Sequence, residues 1–473
     1  MVLGNAERTR PVGWALTSLS LSMLLSALGT SIANVALPTL ALAFGASVQQ
    51  VQWIVLAYLL ASTTMIVSVG RLGDLLGRRR LLLAGIVLFT VASVMGAFAP
   101  ALWLLIAARA AQGLGAAIMM ALTMAFVGEA VPPAETGRAM GLLGTMSAIG
   151  TALGPTFGGL LIAGLGWPAI FLATGVFGIL TLLLALRFLP VDRQKSAERT
   201  AFDLVGTLLL ALTLAAYALA MTIGRGTFSL LNLALLVAAA TDAGLFALAE
   251  MKASSPLLQL ALFRDPLLSA GFGMSTLVTT VVMATLVVGP FYLSGALALG
   301  AAQIGLVMSS GPIVAALTGV LAGRCVDRFG AYGMTLAGLI GMAVGCSILP
   351  LVPTRFGALG YIAPLVVITA GYAQFQAANN TAVMTISRPE QRGVISGLLN
   401  LSRNLGLITG ASVMGAVFTL GSTTTDMPKS HPEAIAAGMQ LTFAVAAALI
   451  VVALAIAFIS RVVSRHTIPT NHQ

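Results

Sequence analysis

Apolar residues along the chain fall in runs of about 20, separated by short breaks that hold most of the charge, glycine and proline. A run of that length crosses a bilayer as an α-helix. Fourteen runs can be drawn, near 14–37, 50–70, 81–99, 102–128, 138–164, 168–189, 204–223, 230–249, 268–293, 303–323, 333–351, 358–383, 393–419 and 435–460. The first is too long for a signal-peptide core and reads as a membrane helix. It is not uniformly apolar. Around "LLSALGTSIANVALP" (24–38), Ser22, Ser26, Thr30 and Asn34 recur every fourth residue and form one slowly drifting stripe on a helix. The stripe carries no charge, and it reads as the face of the first span toward a cavity.

Composition sharpens this picture. The 473 residues are 58% hydrophobic and 8% charged, with a mean hydropathy of +1.01, where a soluble chain carries about 25% charged residues. The fold class is therefore an all-α polytopic membrane protein with 14 transmembrane helices. With both termini on one side, 19 Lys and Arg fall on that side, 3 on the other, and 2 (Arg109 and Arg403) within spans. This asymmetry puts the termini in the cytoplasm and the chain in the inner (plasma) membrane. The net charge of +10 is scattered in short loops, so no nucleic-acid partner is expected. Cys325 and Cys346 make neither a disulfide framework nor a metal motif. All three histidines lie outside the spans, and neither H-E-x-x-H nor G-x-S-x-G occurs, which argues against an enzyme. Without a "GK" dipeptide there is no Walker A loop for ATP-driven pumping.

The chain repeats itself. "GLLGTMSAIGTALGPTFGG" (141–159) aligns with "GLLNLSRNLGLITGASVMG" (397–415) at an offset of 256, and "GRLGDLLG" (70–77) with "GRCVDRFG" (323–330) at 253. Spans 1–6 thus resemble spans 9–14, with spans 7–8 between them. The expected units are 1–190, 191–265 and 266–473. Parallel duplication of six-helix halves places a binding site near the bilayer midplane between them, with rocking of one half on the other.

Three motifs stand out. The loop "GRLGDLLGRRR" (70–80) combines close-packing glycines with Asp74, which can cap the next helix or pair with an arginine; a plain orienting charge cluster is the alternative. Span 4 holds "RAAQGLGAA" (109–117), with Arg109 roughly 10 Å deep at 1.5 Å per residue. Such an arginine is functional or snorkels to the surface. Gln112 lies one turn on. Span 5 holds "GTALGPTFGG" (150–159), whose Gly150, Gly154 and Gly158 make a close-contact face, with Gly159 beside it and Pro155 favouring a bend.

These motifs, with "NVALP", "VQWIVLAYLL" and "FDLVGTLLL" in spans 1, 2 and 7, resemble the major facilitator superfamily, and within it the 14-span drug:proton antiporter group (EmrB/QacA-like). The resemblance covers essentially the whole chain. It implies a major facilitator fold of two six-helix bundles plus two extra helices, and a multidrug efflux antiporter driven by the proton gradient with no cofactor. It implies a cytoplasmic gate at Gly70, Arg71, Asp74, Gly77, Arg78 and Arg79, repeated at Asp327 and Arg328. It implies proton coupling at Arg109, and a helix closing the outer side at Gly154, Pro155 and Gly158. The expected partners are small-molecule substrates, protons and the lipid bilayer, for a monomer.

The departures matter. Gly29 stands where the family often has an acid in span 1, Trp167 is followed by Pro168 instead of Arg, and "FLATGV" replaces "F-x-x-N-x-P". Coupling is then expected at Arg109 and Gln112 with Asp74 and Glu129 at the inner gate. Asp242, the one acid clearly within a span, is a proton carrier or a local structural partner; Glu250 is placed at a span end. The substrate candidates are Ser26, Thr30, Asn34, Trp53, Tyr58, Met120, Tyr292, Tyr372, Gln376, Asn379, Asn380, Arg403 and Asn404, each of which could equally be packing glue. Beside multidrug export stands a dedicated exporter of one metabolite or self-made antibiotic, neutral or anionic because the cavity would hold arginines and no acid.

Overall fold

The computed structural model describes the backbone of residues 4–130, 136–189, 203–223, 229–252, 260–386, 392–422 and 431–467. The chain folds into α1 (Gly4–Phe44), α2 (Val48–Leu76), α3 (Arg78–Ala97), α4 (Leu102–Ala130), α5 (Thr136–Leu165), α6 (Pro168–Phe188), α7 (Leu204–Thr222), α8 (Leu230–Lys252), α9 (Pro266–Gly295), α10 (Ala301–Phe329), α11 (Ala331–Ile348), α12 (Gly357–Ile386), α13 (Arg392–Thr409), α14 (Gly415–Ser422) and α15 (Pro432–Thr467). A π-helical turn, Gly410–Met414, joins α13 to α14 as one span. No strand occurs among the described residues. There, 13 helical segments are long and apolar enough to cross a membrane. The 29-residue α2, which contains the apolar run near 50–70, makes the fourteenth. The predicted runs and the helices agree within a few residues at most ends; α1, which starts at Gly4, is the main extension.

The helix ends show the duplication in chemical detail. At the start of α2, the Ser47 amide donates to Gln50 Oε1 (2.9 Å) and the Gln50 amide to Ser47 Oγ (3.3 Å). At the start of α10, the Gly300 amide likewise donates to Gln303 Oε1 (3.0 Å). Each satisfies a helix-end amide that has no partner within its helix. The turns leaving α2 and α10 use Gly77 (φ 91°) and Gly330 (φ 84°), a backbone region that L side chains rarely enter. The α3–α4 and α11–α12 crossings match too. A Cβ at Gly115 would stand 2.7 Å from the Gly85 carbonyl oxygen, and one at Gly371 would stand 2.7 Å from that of Gly338.

Helices α1–α6 pack on one another, α9–α15 do likewise, and α7 and α8 form a separate pair against α2. Both helical ends of the chain lie on one side, called here the terminal side. On the far side, Gly158 of α5 meets Val35 of α1, and Gly295 of α9 meets Ile435 of α15. The most apolar window of α9 is 78% buried, whereas that of α8 is only 17% buried, so α9 is central and α8 lies on the rim. Large exposed side chains such as Trp103, Phe98, Leu165 and Leu230 face outward, as expected of a surface solvated by lipid tails.

Helix α7 is pinned to α2 near both its ends. Ser68 Oγ and Thr207 Oγ1 lie 2.7 Å apart, and Trp53 Nε1 donates to Thr222 Oγ1 (3.1 Å). One further bond, Tyr217 Oη to Thr409 Oγ1 (3.1 Å), reaches the second bundle beside the π turn.

Candidate functional site

Within the first bundle, four helices converge on Arg109. Its Nε donates to the Ile54 carbonyl (3.0 Å) and its Nη2 to the Gly29 carbonyl (3.0 Å). Its Nη1 donates to Gln112 Oε1, one turn on. Gln112 Nε2 then donates to Ser93 Oγ (2.8 Å), which donates to the Phe89 carbonyl (2.7 Å). The guanidinium also lies over the Tyr58 ring, 4.3 Å from its centroid, a cation–π contact. Arg109 is 1% exposed and Gln112 2%, so the arginine does not snorkel. Every acceptor it finds is neutral.

The glycine at position 29 fits this arrangement. Its carbonyl receives the guanidinium, and a Cβ there would meet Tyr58 Oη at 3.1 Å and the Phe89 ring at 3.2 Å. The space of a first-span side chain is taken by the shell around Arg109. Tyr58 is fixed in turn: its hydroxyl donates to the Ser26 carbonyl (2.8 Å), and its backbone lies directly against Gly113.

Helix α5 closes the far side. Cβ atoms at Gly150 and Gly158 would stand 3.0 Å from Ala27 Cβ and 2.9 Å from Val35 on α1, and one at Gly154 would collide with Ser31 Oγ. Gly159 turns to the other bundle: a Cβ there would stand 2.6 Å from the Ala301 carbonyl oxygen of α10. One at Gly305 of α10 would stand 2.5 Å from the carbonyl oxygen of Pro155, a proline inside α5. Beside this seal, Gln52 of α2 is jammed against Gly415 of α14. The side-chain amides of Gln49 and Gln52 are buried with no hydrogen-bond partner among the described residues. Toward the terminal side, Gly319 and Gly323 of α10 and Gly397 of α13 have no heavy atom within 4 Å of a would-be Cβ.

Below the seal lies a cavity of about 550 Å³ between α5 of the first bundle and α9, α10 and α12 of the second. Its polar lining comes from Ser147 and Thr151 on α5, Thr285 on α9, and Thr369, Tyr372, Gln376 and Asn380 on α12. Arg403 stands on α13, half-buried, with its Nη2 donating to Asn400 Oδ1. It is the repeat counterpart of the lining residue Ser147.

Of the substrate candidates, Tyr372, Gln376 and Asn380 line this cavity, and the rest lie outside its lining. Correcting the expected cavity face of α1, its stripe bonds to its own helix: Ser22 to the Ser18 carbonyl, Ser26 to Ser22, Thr30 to Ser26 and Asn34 to Thr30, at 2.9–3.4 Å. Ser26 and Asn34 are buried, and Thr30 is half-buried. Trp53 is committed to α7 and Tyr58 to Arg109. Asn379 Nδ2 donates to the Gly271 carbonyl (3.1 Å), tying α12 to α9. Tyr292 stacks on Tyr361 and lines a separate far-side pocket with Glu433 and Gln440. Met120 and Asn404 are half-buried.

Of the gate residues, Arg79 Nη2 donates to the Leu186 carbonyl (2.8 Å), clamping α3 to α6. Arg78 packs under Gly73, while Asp327 and Arg328 are exposed at the end of α10. The backbone of Gly70, Arg71, Asp74 and Glu129 is helical, but their side chains lie outside the described residues. Asp242 sits on the rim helix α8, away from the cavity. Glu250 lies in the last turn of α8, at the span end as expected, and is 3% exposed. It faces Asp203, the N-cap of α7, across Gly206, where a Cβ would stand 2.5 Å from Asp203 Oδ2 and 2.7 Å from Glu250 Oε1. The glycine three residues after Asp203 was the readable sign of that approach.

A family model described as Major Facilitator Superfamily matches residues 19–411 and 290–473. The chain is 30% identical to the riboflavin transporter RibZ of Clostridioides difficile (strain 630), over 91% of this chain and 93% of that one. It is 33% identical to the multidrug resistance protein Stp of Mycobacterium tuberculosis (strain ATCC 25618 / H37Rv), over 87% and 76%. In fold it resembles a bacterial homologue of the human lysosomal transporter Spinster, solved inward-facing and unoccupied, with a TM-score of 0.71, 15% identity, and coverage of 95% and 97%.

Proposed function

The chain belongs to the major facilitator superfamily, and from that premise we propose that it exports drugs or other small organic compounds across the plasma membrane in exchange for protons. The observation that carries this reading is α5. One glycine face of this helix is locked to α1 while Gly159 and the Pro155 carbonyl meet α10, so α5 ties the two bundles together on the far side above the cavity. Freeing that contact while the terminal side closes would pass the cavity from one face of the membrane to the other. Similarity to a multidrug resistance protein supports export of drugs. The basic residues flanking the terminal-side helix ends support a cytoplasmic location for that side. We assign proton coupling to Arg109 and Gln112, acting with Asp74 and Glu129, and no cofactor is needed.

The test is a drug-susceptibility panel in an efflux-deficient host, with and without an uncoupler, followed by transport in proteoliposomes with an imposed pH gradient. Resistance to several compounds that collapses with the uncoupler is expected. Gradient-independent movement of the same compounds would overturn proton exchange. Arg109→Ala retaining full proton-coupled transport would overturn the coupling assignment. A second reading, a dedicated carrier of one metabolite, is favoured by the similarity to a riboflavin transporter; resistance confined to one compound would select it.

A further inference from the structure

Polar side chains within the spans fall into two kinds, those already bonded and those held open. The stripe of α1 bonds to its own helix, and Asn379 of α12 donates to the Gly271 carbonyl (3.1 Å). In the cavity between the bundles, Thr151 Oγ1 donates to the Ser147 carbonyl (3.0 Å) and Thr285 Oγ1 to the Val282 carbonyl (2.7 Å), which leaves both hydroxyls as acceptors only. Gln376 and Asn380 differ. Both line the cavity, both are half-buried, and neither makes a hydrogen bond to another of the described residues. They lie four residues apart on α12, so their amides stand one above the other on a single face. Each amide offers an N–H donor and a C=O acceptor side by side. No Asp, Glu, Lys, Arg or His occurs among the described residues that line the cavity. Val282, Leu286, Met308, Pro312 and Leu365 give it an apolar wall, and its volume of about 550 Å³ suits a drug-sized ligand.

On the reading that this cavity binds the exported compound, we infer that it selects uncharged compounds with an amide-type edge, an N–H beside a C=O as in a lactam or imide ring, held by Gln376 and Asn380. An ion moved into the cavity gives up water and meets no opposite charge on its walls, so it is disfavoured. A neutral apolar body pays no such penalty and is stabilised by contact with the wall of α9 and α10. The edge supplies orientation. Its N–H donates to a side-chain amide oxygen while its carbonyl accepts from the same amide's nitrogen, the two-bond pairing by which Gln and Asn read a donor beside an acceptor. The two amides of α12 give two such places, and a ligand carrying acceptors alone completes neither.

Four fluorescent compounds of one shape test this. They are 7-methoxy-4-methyl-2-quinolone, which carries the lactam edge; 7-methoxy-4-methylcoumarin, in which a ring oxygen replaces the N–H; and the 4-acetate and 4-(trimethylammoniomethyl) analogues of the quinolone, which carry charge. Binding to the purified full chain is followed by fluorescence anisotropy. The lactam is expected to bind about tenfold more tightly than the coumarin, the scale of one neutral hydrogen bond, and more than about tenfold more tightly than either ion. Replacing both amides, by Gln376→Leu with Asn380→Leu, should bring the lactam preference to about one. Gln376→Glu alone should turn the charge preference toward the trimethylammonium analogue, and it carries the test with the wild type if the double variant does not melt cooperatively. Equal binding of lactam and coumarin, tighter binding of either ion, absence of binding by all four, an unchanged lactam preference in the folded double variant, or an unchanged charge order in Gln376→Glu would each overturn the inference. The drug-susceptibility panel tests export separately. Uncoupler-sensitive resistance without the lactam preference would refute this site and leave the export reading standing. The preference without resistance would uphold the site and overturn export.

Discussion

The two bundles share a backbone design and differ in where they put charge. Their crossings coincide closely: Gly150 against α1 and Gly406 against α9 place a would-be Cβ 3.1 Å from the amide nitrogens of Leu28 and Thr280. Yet the position equivalent to Arg109 is Leu365, in an apolar setting where Tyr361 Oη donates to the Thr285 carbonyl (3.3 Å). The second bundle instead carries its arginine at position 403 on α13, half-buried and bonded to Asn400. Close packing is thus conserved between the copies by backbone approach, which depends on glycine alone. Chemistry is free to diverge wherever a side chain has room.

The largest effect should come from Arg109. Replacing it with Met leaves two main-chain carbonyls and Gln112 without their donor, at about 1–3 kcal/mol for each buried group. A fall of more than about 100-fold in gradient-driven transport is expected with a lowered melting temperature. Leu365→Met at the equivalent site should cost under about 1.5 kcal/mol. Comparable losses at both sites would break the asymmetry.

Next come the matched glycines. Gly154→Val, against Ser31, and Gly410→Val, against Met283 and the Thr280 carbonyl, should each destabilise by about 1–3 kcal/mol in thermal melts. A neutral result at one would show that its crossing is not close. Tyr217→Phe should have a smaller effect. Loss of the bond to Thr409 removes about 0.5–1.5 kcal/mol from the far-side-sealed state. Spin-label distances between the far-side ends of α2 and α14 should then show more of the open form. Smallest is Gly323→Ala on α10, where nothing stands within 4 Å; helix propensity should raise stability by about 0.5–1 kcal/mol.

Much of the fold was legible because lipid imposes a length and glycine imposes a spacing. The π turn at Gly410–Met414 was not, since an extra backbone residue per turn leaves no mark in hydrophobic period. The polar stripe of α1 was ambiguous for a physical reason: the four-residue spacing that aligns side chains on one face also sets each hydroxyl or amide over the carbonyl one turn back. Arg109 was found by its depth, but its partners were not, because three of the groups around it (the Gly29 and Ile54 carbonyls and the Tyr58 face) come from helices far along the chain. Glu250 was found at its span end, but its burial against Asp203 was not, because Asp203 belongs to the next helix back along the chain.

The side-chain amides of Gln49 and Gln52 are buried beside the far-side seal and find no protein partner among the described residues. Opening that end would bring water to both, so osmolytes excluded from protein surfaces should favour the sealed form.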